Sequence, residues 1–200
     1  MVLPNARMLA FGSTTRGRTI FALGCPLQAA WAKVAEGVRM KTLVAIYSRS
    51  GTTLSVGKRI ADALGADLEV IEDRVNRRGI LGFLRSGYEA LAKRVPPIAE
   101  PKHDPGDYDL VVVGTPIWAG RMSSPVRAYL HRFRGKLPRA AFFATSAGGG
   151  HTKALAEMAE VAGVEPLSTL ELTADQLESE EATRAVGEFT AELSRRARVR

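Results

Sequence analysis

The chain has 200 residues and a net charge of +7, and 46% of its residues are hydrophobic. This length fits one domain, and the apolar content is typical of a packed core rather than of a disordered chain. The single cysteine excludes an internal disulfide and a cysteine-based zinc site, and it fits a reducing, cytoplasmic location. No apolar run reaches the roughly 18 residues of a membrane span, and no nucleic-acid-binding motif accompanies the basic excess.

Residues 1–39 differ from the remainder of the chain. They combine scattered basic residues with a short apolar run, TIFALGCPL, which is a poor match to a secretory or transit signal. Met40 directly precedes the first strong strand pattern. We therefore expect residues 1–39 to be a poorly ordered extension, and residues 40–200 to form the working domain.

From residue 41 onward, strand patterns alternate with helix patterns. Predicted strands cover residues 41–47, 66–71, 108–115, 140–145 and 167–172. Predicted helices cover residues 53–64, 78–94, 125–133, 153–162 and 179–196. Short strands that alternate with longer helices indicate βαβ units and a parallel sheet. Near-continuous apolar strands indicate helices on both faces of that sheet.

The second predicted helix carries a marked apolar stripe, formed by Ile80, Leu81, Leu84, Tyr88 and Leu91. We interpret this element as a crossover helix that packs the stripe against the sheet. The element is longer than a crossover needs, which leaves a lid or a homodimer surface as the alternative.

The first strand leads directly into a cluster of hydroxyl and glycine residues, SRSGTT at positions 48–53. The helix that follows begins with unpaired N–H groups and the positive end of its dipole, and both suit a phosphate. A helix cap needs only one hydroxyl, so the cluster favours phosphate binding. The residues that define a nucleoside-triphosphate loop, a dinucleotide fingerprint, a receiver site or a cysteine phosphatase loop are missing here. A terminal monophosphate on a larger ligand suits this loop.

SRSGTT resembles the phosphate loop of the flavodoxin family. YDLVVVGTPIWAGRMSSPVRAYL resembles the family's third strand with its first flavin loop, and FFATSAGGGHTKALAEM resembles the fourth strand with the second flavin loop. The resemblance covers about residues 41–195. It implies a three-layer α/β/α fold around a doubly wound, five-stranded parallel sheet in the order 2-1-3-4-5, with FMN as the cofactor.

Carried over by position, the resemblance implies three groups of FMN-binding residues. The phosphate would be held by Ser48, Arg49, Ser50, Gly51, Thr52 and Thr53, with Arg49 contributing mainly its backbone N–H. One side of the isoalloxazine would be lined by Thr115, Pro116, Ile117, Trp118, Ala119 and Gly120, with Trp118 against the ring. The pyrimidine edge would be met by Ser146, Ala147, Gly148 and Gly149.

Two features depart from typical flavodoxins. The loop SAGGG offers no aromatic residue to cover the second flavin face, and neither flavin loop contains Asp or Glu. Arg121 instead follows the first loop, and we expect this cation to raise the reduction potential of the flavin. His151 is interpreted as a helix-start residue, and we predict no catalytic acid, base or metal site.

The leading functional hypothesis is an FMN-dependent oxidoreductase that takes a hydride from NAD(P)H and reduces a quinone-like acceptor. The first alternative is a one-electron carrier that docks on a redox partner protein. The second alternative is a flavodoxin-like interaction module without FMN. The open second flavin face and Arg121 favour the oxidoreductase.

Overall fold

The computed structural model of the chain describes residues 40–177 and 179–197. The predicted N-terminal extension, residues 1–39, lies outside the described residues. Among the residues that are described, no helix is long and apolar enough to cross a membrane.

The strands follow the predicted positions closely, with one short addition. They are β1 (Thr42–Ile46), β2 (Asp67–Val70), β3 (Leu110–Trp118), β4 (Arg121–Met122), β5 (Ala140–Ser146) and β6 (Thr169–Thr173). The helices are α1 (Thr52–Leu64), α2 (Gly79–Leu91), α3 (Ser124–Arg132), α4 (His151–Ala162), α5 (Ala174–Leu177) and α6 (Glu180–Arg196). A 3₁₀ turn at Pro105–Asp107 leads into β3.

The parallel sheet has the order β2-β1-β3-β5-β6, which is 2-1-3-4-5 when only the long parallel strands are counted. This confirms the doubly wound fold that the resemblance implied. The interior of β3, Leu110 to Val113, is completely buried because helices cover both faces of the sheet. Helices α1 and α6 pack on one face with Val56, Ile60 and Phe189 in the core.

Helices α3 and α4 pack on the other face, where Val126, Tyr129 and Met158 are buried against the strands. The order of strands reverses between β1 and β3, because β2 lies on one side of β1 and β3 on the other. Ligands of open α/β sheets bind at such a switch point, outside the carboxyl ends of the strands. The fold therefore directs attention to the loops after β1, β3 and β5.

Strand β4 was not predicted from the sequence. It pairs antiparallel with the end of β3, with Ile117 opposite Met122 and Trp118 opposite Arg121. The two-residue turn between them has a positive φ at both Ala119 (49°) and Gly120 (74°), as the tight hairpin turns require. The hairpin fixes the direction in which Trp118 leaves the sheet.

The predicted packing of the second helix is wrong. The stripe side chains of α2 point away from the sheet: Ile80 is 79% and Leu81 is 82% exposed. The buried side of α2 carries Gly82, Ser86, Glu89 and Ala90. The helix lies against β3, β4 and α3 through this small and polar face.

Candidate functional site

A cleft of about 1080 Å³ opens at the carboxyl ends of β1, β3 and β5. This volume lies just above the range of about 300–1,000 Å³ that is typical of small-molecule sites. Ten of the sixteen expected cofactor residues line it: Ser48, Arg49, Ser50, Thr52, Thr53, Pro116, Ile117, Trp118, Ser146 and Ala147. The three loops that sequence reasoning selected therefore meet at one site.

The phosphate loop begins α1 without a side-chain cap. Gly51 occupies the N-cap position with φ 95°, and within the described chain no side chain accepts a hydrogen bond from the first turn of α1. The Gly51 N–H donates to Ser48 Oγ at 3.1 Å, and the hydroxyls of Ser50 and Thr52 lie 3.3 Å apart. The helix-capping explanation of the hydroxyls is therefore wrong, and the first N–H groups of α1 remain available to an anion.

Thr53 lies at the base of this loop. Its side chain is 1% exposed, and its Oγ1 is 2.8 Å from Thr145 Oγ1 at the end of β5. This contact ties the start of α1 to the neighbouring strand. Thr145 also lines the cleft, and sequence reasoning missed it, although its position at the carboxyl end of a predicted strand was a usable signal.

Trp118 lies between two other side chains on the wall of the cleft. Its ring packs edge-on against Tyr47, with centroids 5.5 Å apart and planes at 89°. The guanidinium of Arg77 sits 5.0 Å from the centre of the Trp118 ring. Burial, followed by the charge of Asp73, raises the pKa of Tyr47. The Tyr47 hydroxyl is therefore protonated at neutral pH, so Tyr47 and Trp118 form an uncharged aromatic pair against which the Arg77 guanidinium packs.

Arg77 is the centre of a buried polar network. It is only 5% exposed, and it pairs with Asp73 and with Glu89, the latter at 2.7 Å. It also donates to Ser124 at 3.2 Å and to Ser86 at 3.4 Å. These contacts join the loop after β2, helix α2 and the start of α3.

The ionisation of this network is fixed by its pairing. Burial works to lower the pKa of Arg77, but the hydrogen bonds that Arg77 donates to Asp73 and Glu89 outweigh this effect, and the pKa is raised. Burial likewise works to raise the pKa of Glu89, but hydrogen bonds from Arg85 and Arg77 hold this pKa below its ordinary value. Both groups are charged at neutral pH, so the pair neutralises itself inside the protein.

Sequence reasoning missed Arg77, although one signal pointed to the face it occupies. Gly82, Ser86 and Ala90 recur every four residues and form a stripe of small side chains on one side of α2. A Cβ at position 82 would collide with the backbone carbonyl of Arg77. This row of small side chains therefore lets α2 approach the backbone of Arg77 closely. As a consequence, the apolar stripe of α2 faces outward.

The prediction that Arg121 is an unbalanced cation beside the flavin is wrong. Its guanidinium pairs with Glu157 on α4, which also accepts a hydrogen bond from Arg127 at 3.1 Å. The cleft is also not free of acids, because Glu72 and Asp73 line it. The charge argument for a raised flavin potential therefore fails.

The second flavin loop approaches the first one backbone to backbone. Gly150 has φ 86°, and a Cβ at this position would lie 2.9 Å from Gly120 Cα. At the end of the loop, Ser146 Oγ is 2.9 Å from Nε2 of His151, the first residue of α4. His151 Nδ1 lies 3.8 Å from Glu171 Oε2. The loop thus places a hydroxyl and an imidazole, joined by a hydrogen bond, at the edge of the site.

The remaining six expected residues do not line the cleft. They are Gly51, Thr115, Ala119, Gly120, Gly148 and Gly149. Thr115 is fully buried, and its Oγ1 accepts the Ser123 N–H at 3.0 Å. Its side chain therefore supports the first flavin loop from below, while the others shape the turns around the cleft.

A family model for flavodoxin matches residues 41–165 of the chain, which is more than half of its length. The chain belongs to the flavodoxin family. Among solved structures, a flavoprotein from Lactobacillus acidophilus in complex with FMN is 22% identical, covering 72% of this chain and 99% of its own, with a TM-score of 0.57. Oxidised flavodoxin 2 from Bacillus cereus is 20% identical. The match covers 78% of this chain and 99% of the flavodoxin, with a TM-score of 0.51. No curated protein gives a significant match.

Proposed function

We propose that this flavodoxin-family protein binds FMN in the cleft and acts as an oxidoreductase between NAD(P)H and a quinone-like acceptor. The observation that carries FMN binding is the uncapped amino end of α1, where Gly51 is the N-cap and no described side chain satisfies the first turn. A helix end of this kind with hydroxyls around it suits a phosphate dianion.

The residues present fit the rest of FMN as well. Pro116, Ile117 and Trp118 give the cleft a flat apolar side next to the phosphate loop. The backbone N–H groups of Ser146 and Ala147, the two residues of the second flavin loop that line the cleft, suit the polar edge of the ring. Bound FMN would supply the hydride and electron chemistry.

The chain's own residues then bind and orient the ring and restrict water. Trp118 is held by Tyr47 on one side and by the Arg77 guanidinium on the other, so its plane is fixed before a ligand arrives. Ser146 Oγ and His151 Nε2 are joined by a hydrogen bond of 2.9 Å, at the edge proposed to face the pyrimidine. No proton need be moved by the protein for hydride transfer itself.

The oxidoreductase is favoured over the one-electron carrier by the size of the cleft and by its cationic rim. The volume of about 1080 Å³ leaves room for a second planar ligand, and the second flavin loop offers no aromatic side chain to fill it. Arg49 and Arg78 line the cleft and are exposed, so they can attract the phosphates of a nicotinamide cofactor.

The proposal is tested in two steps. The purified full chain should carry FMN, or take it up on incubation, and give the visible spectrum of a bound flavin. Steady-state assays should then show oxidation of NADH or NADPH that depends on a water-soluble quinone. A yellow protein without this turnover would support the carrier, and a protein that takes up no flavin would overturn both redox functions.

A further inference from the structure

Helix α2 exposes a continuous apolar face that the cofactor site does not explain. Ile80 and Leu81 are 79% and 82% exposed, and the other members of this face are also largely exposed. The face consists of Ile80, Leu81, Phe83, Leu84, Tyr88 and Leu91. At about 100° per residue these six side chains span an arc of about 160°. Soluble proteins rarely leave such a patch bare, and it marks an interaction surface.

The rim of this face is basic. Arg78 lies at its amino end, Arg85 at its side, and Lys93 and Arg94 at its carboxyl end, and all four are exposed. The only acid between residues 74 and 95 is Glu89, which is buried and paired with Arg77 and Arg85. The rim therefore carries positive charge that the segment itself does not balance.

The charge pattern decides between the candidate occupants. A second copy in a two-fold dimer would bring the same basic rim against itself, and like charges across an interface are repulsive. An apolar helix face of Leu, Ile, Phe and Tyr with Lys and Arg around it is the pattern of helices that lie in the surface of an anionic membrane. We propose that the α2 face docks the protein on an anionic lipid surface.

The position of α2 fits this occupant. Phe83 belongs both to the α2 face and to the lining of the cleft, and the Arg49 guanidinium of the phosphate loop lies 5.4 Å from its ring. A docked protein would thus hold the mouth of the cleft close to the lipid, where apolar quinones partition. This link to the acceptor rests on the function proposed above, whereas lipid binding does not depend on it.

The test is flotation of the full chain with vesicles of phosphatidylcholine alone and with an equimolar mixture of phosphatidylcholine and phosphatidylglycerol. The wild type should float with the mixed vesicles, and less of it should do so as salt is raised. Leu81→Glu should reduce the binding constant at least about tenfold. Arg94→Glu should weaken binding to the mixed vesicles but leave any binding to phosphatidylcholine unchanged.

Val70→Glu is the matched control, because it places the same charge on an exposed apolar residue of β2. Circular dichroism and the melting temperature establish that each variant is folded, and the bound flavin spectrum reports the redox site separately. Sedimentation velocity gives the oligomeric state. Vesicle binding that is equal for the wild type and Leu81→Glu would overturn the proposal. A wild type that binds neither kind of vesicle would also overturn the proposal. This holds for a monomer, and it holds for a dimer that Leu81→Glu dissociates, in which case the face is a dimer interface.

Discussion

The phosphate loop, residues 48–53, and Arg77 line the same cleft. Most side-chain hydrogen bonds of the loop join residues that are close in sequence, whereas Arg77 also bonds to residues that are far away in sequence. In the loop, the Gly51 N–H donates to Ser48, and the hydroxyls of Ser50 and Thr52 are hydrogen-bonded to each other, so these partners are two or three residues apart. The buried Thr53 at the base of the loop is the exception, because its partner is the distant Thr145. Arg77 bonds to residues as distant in sequence as Glu89 and Ser124. A local arrangement can be recognised from a short stretch of sequence, whereas a buried charge is explained only by the elements that gather around it.

The two regions also differ in what they contribute to stability. The hydroxyls of Ser50 and Thr52 are exposed or half-buried, so their removal should affect ligand binding more than folding. Arg77 is buried, and a buried charge is tolerated only while its partners are present. The loop is thus expected to be a binding device and the Arg77 network a structural one that positions α2 and Trp118.

The largest effect is expected from Arg77→Met. This change should lower the free energy of unfolding by about 3–5 kcal/mol, because it leaves Asp73 buried without its cation and leaves Glu89 with only the largely exposed Arg85 as its cation. Urea denaturation measures it. Arg85→Gln is the matched control: Arg85 also pairs with Glu89 at 2.7 Å, but its side chain is 54% exposed, and the loss should be below about 1 kcal/mol. Equal losses for the two variants would show that Arg77 does not hold the network.

The next largest effect is expected from a substitution of Gly150, compared with the same substitution of Gly148 in the same loop. Gly150→Ala should destabilise the protein by about 1–2 kcal/mol for the left-handed backbone alone, and the close approach to Gly120 Cα adds to this. Gly148→Ala should be nearly silent, since a Cβ there meets nothing within 4 Å. Thermal unfolding compares them. If both variants have the melting temperature of the wild type, the backbones of the two flavin loops do not approach each other as described.

The smallest effect is a pH dependence of the Arg77 network. The pKa of Glu89 is lowered from its ordinary value of 4.5, so Glu89 stabilises the fold above about pH 4.5, and this contribution is lost as the pH falls through the folded-state pKa. Glu89→Gln should therefore be less stable than the wild type at neutral pH, and the gap should narrow on acidification. Denaturation midpoints measured down to pH 3 test this. A gap that widens as the pH falls would contradict the sign of the shift.

The sequence predicted the five parallel strands and their helices, and it placed the hydroxyl-rich loop 48–53 at the start of α1, because these features depend on periodicity and on neighbouring residues. It failed at α2, where the periodicity revealed an apolar face but not its direction. The small stripe of Gly82, Ser86 and Ala90 and the buried Arg77 decide that direction, and both act through contacts distant in the chain.

The wrong prediction for Arg121 also has its cause in a contact that is distant in the chain. Its partner Glu157 lies 36 residues further along, on a helix that reaches β4 only in the folded protein. The hairpin of β3 and β4 was missed for a related reason: Ala119 adopts φ 49°, which a non-glycine residue rarely does and which the sequence alone does not indicate.

The most direct test of FMN binding is a fluorescence titration of the flavin-free protein with FMN and with riboflavin, for the wild type and for Ser50→Ala/Thr52→Ala. The two hydroxyls should face only the phosphate, and each hydrogen bond to it is worth about 1.5–3 kcal/mol. The double variant should therefore lose at least about a hundredfold in affinity for FMN and keep its affinity for riboflavin. Ser55→Ala is the control, because this exposed serine of α1 bonds to the Thr52 carbonyl. Equal losses for FMN and riboflavin, or equal affinities of the wild type for both, would contradict the assignment of the phosphate loop.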